Sequence, residues 1–207
     1  MPDYLLEHQA RLRGATIICG VDEVGRGPLA GPVMAAAAII PLNEDGQPTL
    51  PGDLLTQLND SKKLSAKKRE AIFEPLIQSV DYATAEITPD EIDEINILQA
   101  TFKAMTMAVS KLQATPDMAL IDGNKIPPAL PCAGQAVVKG DSQSLSIAAA
   151  SIIAKVLRDR IMTELAQTHP GYGWDRNAGY GTAEHRDAIT SLGLTPHHRR
   201  SFCRNLM

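Results

Sequence analysis

Two apolar segments joined by a glycine- and proline-rich connection constrain the fold of this 207-residue chain more than any other feature. Residues 17–21 and 33–40 have the length and apolar character of buried strands. Residues 20–32 read GVDEVGRGPLAGP, so an Asp22-Glu23 pair stands where the first strand is predicted to end. Buried strands need helices packed against them, which predicts a domain of mixed strands and helices.

The residues around this strand end predict metal and phosphate chemistry. Carboxylates such as Asp22 and Glu23 bind hard divalent cations. Gly25 and Gly27 on either side of Arg26 allow the backbone to approach a phosphodiester while the guanidinium supplies positive charge. The same residues are also consistent with a simple turn. Their glycine spacing, G-x-G-x-x-x-G, differs from the G-x-G-x-x-G of dinucleotide-binding loops, so a nucleotide cofactor is not expected.

Composition narrows the class of protein. A hydrophobic content of 44% and a charged content of 21% are typical of a globular protein. Three widely spaced cysteines predict reduced thiols and a cytoplasmic location. No signal-peptide pattern and no apolar run of bilayer-spanning length occur, so no membrane partner is expected. The net charge of −4 disfavours a nucleic-acid partner, but basic residues cluster at 62–69 and 197–204, and their distribution matters more than the sum.

Capping residues and periodicity predict the remaining elements. Ser65 predicts the start of a helix that continues to about Ile77 unless Pro75 kinks it or ends it early. Thr88-Pro89 predicts the start of a helix whose apolar spacing continues to about Leu112. The other predicted elements are strands at 82–87, 118–121 and 136–138 and helices at 144–166 and 183–192. This order predicts a single α/β domain over residues 15–207, with an N-terminal extension at 1–14 and a short basic C-terminal tail.

Three predicted strands are followed by acids, namely Asp22 with Glu23, then Asp122, and then Asp141. Where neighbouring strands end together their side chains converge, and a divalent cation relieves the repulsion that follows. Asp122 could instead belong to an Asp-Gly turn, and Asp141 to a helix cap. Because adjacent strand residues point to opposite faces, Asp22 and Glu23 can share a site only if the strand ends or distorts there.

Histidine- and serine-based chemistry fits this sequence less well. The five histidines lack paired zinc-ligand spacing, and no G-x-S-x-G elbow occurs. Histidines in the C-terminal tail are expected on the surface. His185, which follows Gly181-Thr182, is within reach of a substrate in this interpretation.

Eight segments along the chain form a recognisable series of motifs. They are GVDEVGRGP at 20–28, NDSKKLS at 59–65, EIDEINIL at 91–98, IDGN at 121–124, VKGDS at 138–142, residues 146–159, GYGT at 179–182 and HRRSF at 198–202. In this order they resemble the ribonuclease HII family, the bacterial type 2 ribonucleases H, over about residues 15–203. The resemblance implies a ribonuclease H-like fold with a mixed five-stranded sheet flanked by helices.

The same resemblance implies an endonuclease that cuts the RNA strand of RNA–DNA hybrids and cuts on the 5′ side of ribonucleotides embedded in duplex DNA, leaving 3′-hydroxyl and 5′-phosphate ends. It implies catalytic, metal-binding roles for Asp22, Glu23, Asp122 and Asp141, with two Mg²⁺ or Mn²⁺ ions. Substrate-binding roles are implied for the ribose-reading segment Gly25-Arg26-Gly27, for Tyr180 on the sugar at the RNA–DNA junction, and for Lys62 and Lys139 on the duplex.

Two departures and two alternatives accompany this interpretation. Ala178 stands where the family often has lysine, and the chain ends soon after Phe202, so duplex binding is expected to depend on Lys62, Lys63 and Lys139. One alternative is ribonuclease HIII, which usually carries a separate N-terminal substrate-binding domain. The other is a catalytically silent nucleic-acid-binding module. A monomer is expected in each case.

Overall fold

A mixed five-stranded sheet organises the chain, as predicted, in the computed structural model, which describes residues 1–206. The strand order across the sheet is β3-β2-β1-β4-β5. The strands are β1 Ile18–Val24, β2 Val33–Ile39, β3 Asp81–Ile87, β4 Met118–Asp122 and β5 Ala133–Val137. The helices are α1 Leu5–Leu12, α2 Leu54–Gln57, α3 Ala66–Ile77, α4 Pro89–Ile95, α5 Ile97–Ser110, α6 Leu145–Thr168, α7 Trp174–Asn177 and α8 Ala183–Leu192.

The central strand β1 joins the two halves of the sheet. It pairs antiparallel with β2, where Asp22 lies opposite Ala36, and parallel with β4, where Val21 lies opposite Ile121. Strand β2 pairs antiparallel with β3, and β4 pairs parallel with β5. Because β1, β4 and β5 run in the same direction, they all finish at one end of the sheet. The acids that follow them are therefore brought to that end.

Helices α6 and α5 cover opposite faces of this sheet. Helix α6 approaches β1 so closely that a β-carbon at Gly20 would lie 2.1 Å from the Ser146 carbonyl carbon. On this face Ile152 and Ile153 are fully buried, and each such side chain stabilises the fold by about 1.5–3 kcal/mol. The close contact of a long helix with the strand backbone fixes α6 relative to the end of β1.

The predicted helix at 88–112 is two helices, because the chain breaks at Asn96. Asn96 has a φ of 66°, and its side-chain oxygen accepts hydrogen bonds from the N–H groups of Leu98 (3.0 Å) and Gln99 (3.2 Å). Asparagine caps helices well, and the positive φ turns the chain, so Asn96 ends α4 and begins α5. By contrast, α3 continues past Pro75 to Ile77, since the proline lies in its last turn.

The N-terminal segment packs against the start of α6. The Glu7 side chain is fully buried, and its Oε1 accepts hydrogen bonds from Ser146 Oγ (2.6 Å) and Ser146 N (3.0 Å) as well as from Ser144 Oγ. Asp3 forms a parallel β-bridge with Ser144. A carboxylate at the positive end of a helix is electrostatically favourable. The segment predicted as an extension is thus attached to the helix that follows Asp141.

Two buried arginines hold the loop of residues 25–32, which connects β1 to β2 and is called here the arginine-held loop. Arg158 of α6 donates hydrogen bonds from Nε to Pro32 O (2.9 Å) and from Nη2 to Ala30 O (3.1 Å). Arg199 donates to the carbonyl oxygens of Arg26 (3.0 Å), Gly31 and Gly25. Burial lowers the pKa of Arg158 to about 10 and that of Arg199 to about 9, so both stay charged at neutral pH.

None of the helices formed by residues 1–206 has the length and apolar character needed to cross a membrane.

Replacing Arg199 with methionine should lower the free energy of unfolding by about 3 kcal/mol. The substitution keeps the bulk of the side chain but leaves buried carbonyl oxygens without donors, each costing about 1–3 kcal/mol. Urea denaturation provides the measurement. The exposed neighbour Arg200, changed to methionine, is the matched control and should shift stability by less than about 0.5 kcal/mol. Equal losses for the two variants would show that the loop does not depend on Arg199.

Candidate active site

Four carboxylates lie at the end of the sheet where β1, β4 and β5 finish. Asp22 and Glu23 belong to the last three residues of β1, and Asp122 is the last residue of β4. Asp141 lies in a short 3-10 turn, Gly140–Ser142, that follows β5. The structure therefore brings to one end of the sheet the acids that the sequence placed after three separate strands.

Strand β1 continues through Asp22 and Glu23, so the expectation that it ends or distorts there is wrong. Both residues keep regular antiparallel pairing with β2, and the strand stops only before Gly25, whose φ is 88°. The two side chains consequently point to opposite faces. Glu23 and Asp122 line a cavity of about 300 Å³ beside α5, whereas Asp22 lies near Ser151 of α6.

Asp122 connects the two faces electrostatically. Burial and the charges of Glu23 and Asp122 raise the pKa of Asp22 well above its ordinary value. Burial raises the pKa of Glu23. The charge of Arg26 lowers this pKa, and the charge of Asp122 raises it further. Burial and Asp122 also raise the pKa of Asp141, to about 6. Asp122 is thus the one carboxylate that acts on all three others.

Several donors offset part of this negative charge. Gly140 N donates to Asp122 Oδ1 at 2.6 Å, and Glu23 N donates to Asp22 Oδ1 at 2.7 Å. Arg26 Nη1 lies 3.4 Å from Glu23 Oε1. Burial alone would lower the pKa of Lys62, but nearby carboxylates, Asp22 first among them, raise it above its ordinary value. Lys62 therefore faces the acidic cluster, as expected of a residue near the site.

Sequence reasoning missed a fifth acid, Asp60. It adds to the rise in the Asp141 pKa both by its charge and by a side-chain hydrogen bond. Asp60 also caps the turn Ser61–Lys63 by accepting a hydrogen bond from Lys62 N at 2.9 Å. In the sequence, Asp60 looks like an ordinary turn-capping residue. Its position beside Asp141 arises only from tertiary packing. A hydrogen bond of 2.8 Å between the Ser151 and Ser61 hydroxyls attaches this turn to α6.

The chemistry of these residues fits a hard divalent cation. Their donors are carboxylate oxygens, the ligands that Mg²⁺ and Mn²⁺ prefer. Burial and the repulsion between carboxylates raise the pKa values of Asp22, Glu23 and Asp141, and a bound cation would favour their charged forms. Among residues 1–206, no three His, Cys, Asp or Glu side chains already form a cluster able to hold a metal ion. The inference that this site binds a divalent cation therefore rests on the carboxylate donors and their negative charge.

The arginine-held loop and Tyr180 adjoin the acids. Arg26 and Gly27 are exposed, and their backbone N–H groups donate to no acceptor within residues 1–206. A β-carbon at Gly27 would lie only 3.7 Å from Cε1 of Tyr180, whose side chain is exposed. Arg26, Gly27 and Tyr180 therefore form one continuous surface next to Glu23, and Gly25 lies buried beneath it.

Other basic and histidine residues divide between surface and interior. Lys139 is exposed, has a φ of 57°, and directly precedes the turn that carries Asp141. His198 and Arg199 are buried, so the expected surface position is wrong for this part of the tail. His185 is also fully buried, so it does not reach a substrate. Packing against Trp174 and the hydrogen bonds of these side chains keep them inside.

Comparisons with known proteins agree with this geometry. The family model for ribonuclease HII matches residues 19–205. The chain is 55% identical over 201 residues to the ribonuclease HII of Ruegeria pomeroyi, covering 97% of this chain and 82% of that protein. It is 57% identical over 204 residues to the ribonuclease HII of Rhodospirillum rubrum, covering 98% and 89%. The crystal structure of the ribonuclease H2 from Pyrococcus horikoshii OT3 superposes with a TM-score of 0.73 at 28% identity, covering 92% of this chain and 97% of that one.

A match of this extent, on a mixed five-stranded sheet with acids at one end, shows that the chain belongs to the ribonuclease HII family of ribonuclease H enzymes.

Proposed function

We propose that this enzyme hydrolyses the RNA strand of RNA–DNA hybrids and cuts on the 5′ side of ribonucleotides embedded in duplex DNA, leaving 3′-hydroxyl and 5′-phosphate ends. The observation that carries the proposal is the position of Asp122. Its charge acts on the other three carboxylates, and it lines the same cavity as Glu23 and Arg26. Acids for phosphodiester hydrolysis thus adjoin a loop suited to selecting the nucleotide.

Asp22, Glu23, Asp122 and Asp141 would hold the divalent cations on which ribonuclease HII enzymes depend. Two Mg²⁺ or Mn²⁺ ions bound there would supply an activated water and charge stabilisation for the departing 3′-oxygen. The chain's own contribution is to orient the carboxylates. Glu23 N orients Asp22, and Gly140 N orients Asp122. Lys62 supplies the nearby positive charge.

The arginine-held loop would read the ribose. The free N–H groups of Arg26 and Gly27 are suited to the oxygen of a 2′-hydroxyl, the group that distinguishes RNA from DNA. The exposed ring of Tyr180 next to Gly27 would pack on the sugar at the RNA–DNA junction. Lys62 and Lys139 would contact backbone phosphates and so position the duplex without selecting sequence.

The enzyme is proposed to act as a monomer in the cytoplasm. Its three cysteines, Cys19, Cys132 and Cys203, are all free thiols, which suits a reducing compartment.

Changing Asp122 to asparagine should reduce cleavage by about 10³-fold or more, equivalent to about 4 kcal/mol of transition-state stabilisation, while substrate binding stays near normal. A gel assay on duplex DNA with one ribonucleotide, with and without Mn²⁺, measures cleavage, and fluorescence anisotropy measures binding. The exposed loop residue Asp45, changed to asparagine, is the matched control. Near-normal turnover of the Asp122 variant would overturn the assignment of the site.

The parent enzyme in the same assay separates the alternatives. Cutting at the lone ribonucleotide supports the proposed function. Cutting only within long hybrids would indicate activity like that of ribonuclease HIII. Binding without cutting would indicate a catalytically silent module.

Changing Asp141 to asparagine should stabilise the metal-free protein at alkaline pH. The folded pKa of this carboxyl is raised to about 6, so its charged form opposes folding. That unfavourable contribution begins near the unfolded pKa of about 4, grows as the pH rises, and is complete above about pH 6. The stability of the variant relative to the parent should therefore increase by about 1 kcal/mol from pH 4 to pH 8. Urea denaturation in EDTA measures it, and a pH-independent difference would contradict the repulsion.

A further inference from the structure

A buried hydrogen-bond network lies behind Tyr180. It comprises Trp174, His185 and His198, of which His185 is fully buried and the other two are 1% exposed. Trp174 Nε1 lies 3.0 Å from His185 Nε2, and His198 Nε2 lies 3.1 Å from the same atom. On its other side, His185 Nδ1 lies 3.0 Å from the carbonyl oxygen of Tyr180. The network therefore connects the protein interior to the backbone of a residue on the candidate substrate surface.

The partners determine where each proton lies. His198 Nδ1 accepts a hydrogen bond from the backbone N–H of Thr195 at 2.9 Å, so the His198 proton is on Nε2. The indole N–H of Trp174 can only donate, so His185 Nε2 is the acceptor, and the His198 N–H shares the single lone pair of that nitrogen. His185 then carries its proton on Nδ1, where it donates to Tyr180 O. With these tautomers of the two neutral histidines, no donor faces another donor.

We propose that His185 is a positioning residue for Tyr180: its Nδ1–H fixes the Tyr180 backbone and thereby holds the aromatic ring beside Gly27. This inference rests on the proposed role of Tyr180 at the RNA–DNA junction. His185 does not touch substrate, and it acts only through Tyr180.

The backbone around Tyr180 explains why this one donor matters. Ala178 and Gly179 both have positive φ values, 48° and 81°, so the chain turns sharply before the tyrosine. Tyr180 N donates to Asn177 O at 2.9 Å, and Thr182 N donates to Tyr180 O at 2.8 Å. These bonds lie within the turn itself. His185 Nδ1 supplies a side-chain bond that connects the turn to the buried network.

The surroundings keep the histidine pair neutral. Burial lowers the pKa of His185, and Glu184 only partly opposes this. Burial lowers the pKa of His198 to about 4, with added repulsion from His185, His197 and His169. The rings of Tyr172 and Trp174 pack against both histidines. The network is thus intact at neutral pH.

Two variants of His185 separate positioning from packing. The amide nitrogen of His185→Asn can occupy the Nδ1 position and donate to Tyr180 O, whereas the longer side chain of His185→Gln places its amide near Nε2. We expect His185→Gln to lose about 10-fold in kcat/KM on duplex DNA with one ribonucleotide and His185→Asn to stay within about 3-fold. On a long RNA–DNA hybrid of the same sequence, both variants should stay within about 3-fold of the parent.

Tyr180→Ala provides the coupling control. If His185 acts through Tyr180, adding His185→Gln to Tyr180→Ala should cause no further loss. Equal losses for the Asn and Gln variants, or a loss that adds to that of Tyr180→Ala, would overturn the positioning role while leaving the proposed function intact. A parent enzyme that does not cut at a single ribonucleotide would instead overturn the proposed function.

A measurement on the parent protein does not depend on the folding of the variants. The ¹⁵N chemical shifts of the His185 ring should report a protonated Nδ1 and an unprotonated Nε2 at pH 7. The opposite tautomer, or an imidazolium, would remove the donor to Tyr180 O or the acceptor for Trp174 and overturn the inference.

Discussion

The hydrogen bonds from two buried guanidiniums to the carbonyl oxygens of residues 25–32 determine what the functional surface can do. Because Arg158 and Arg199 draw those oxygens inward, the N–H groups of Arg26 and Gly27 stay free on the outer side. The loop therefore presents donors to a ligand without using side chains. Carbonyl oxygens accept the hydrogen bonds of the two guanidiniums. Burial lowers both pKa values, and the charges of Asp159 on Arg158 and of Asp93 on Arg199 oppose this only in part.

Opposite charges thus lie on either side of one short connection. Asp22 and Glu23 at the end of β1 belong to a carboxylate cluster that repels itself, and the residues immediately after them rest on buried positive charge. The carboxylates repel one another, so the backbone to which they are attached and hydrogen-bond donors such as Gly140 N must keep them in place. Such an arrangement reduces the free energy of unfolding of the metal-free protein. Residues placed for catalysis commonly lower stability in this way.

Local pattern was enough to predict most of the fold. Alternation and apolar runs located the strands, and Ser65 and Thr88 marked helix starts that the structure confirms. The helix break at Asn96 could not be predicted, because the helical spacing of apolar residues continues across it. The convergence of Asp22, Asp122 and Asp141 was predictable, since parallel strands end together. The buried positions of Arg199 and His185 and the placement of Asp60 beside Asp141 were not predictable. Exposed and buried polar residues look alike in sequence when their partners lie far along the chain.

The same long separations have a consequence during synthesis. Arg199 binds carbonyl groups of residues 168 to 174 positions earlier, and Glu7 meets Ser144 across 137 positions. A chain emerging from the ribosome amino terminus first therefore exposes residues 25–32 long before the guanidinium that shapes them is available. The arginine-held loop can reach its final conformation only once residue 199 has been released. A partly made copy of the chain therefore carries Asp22 and Glu23 before the loop beside them is shaped.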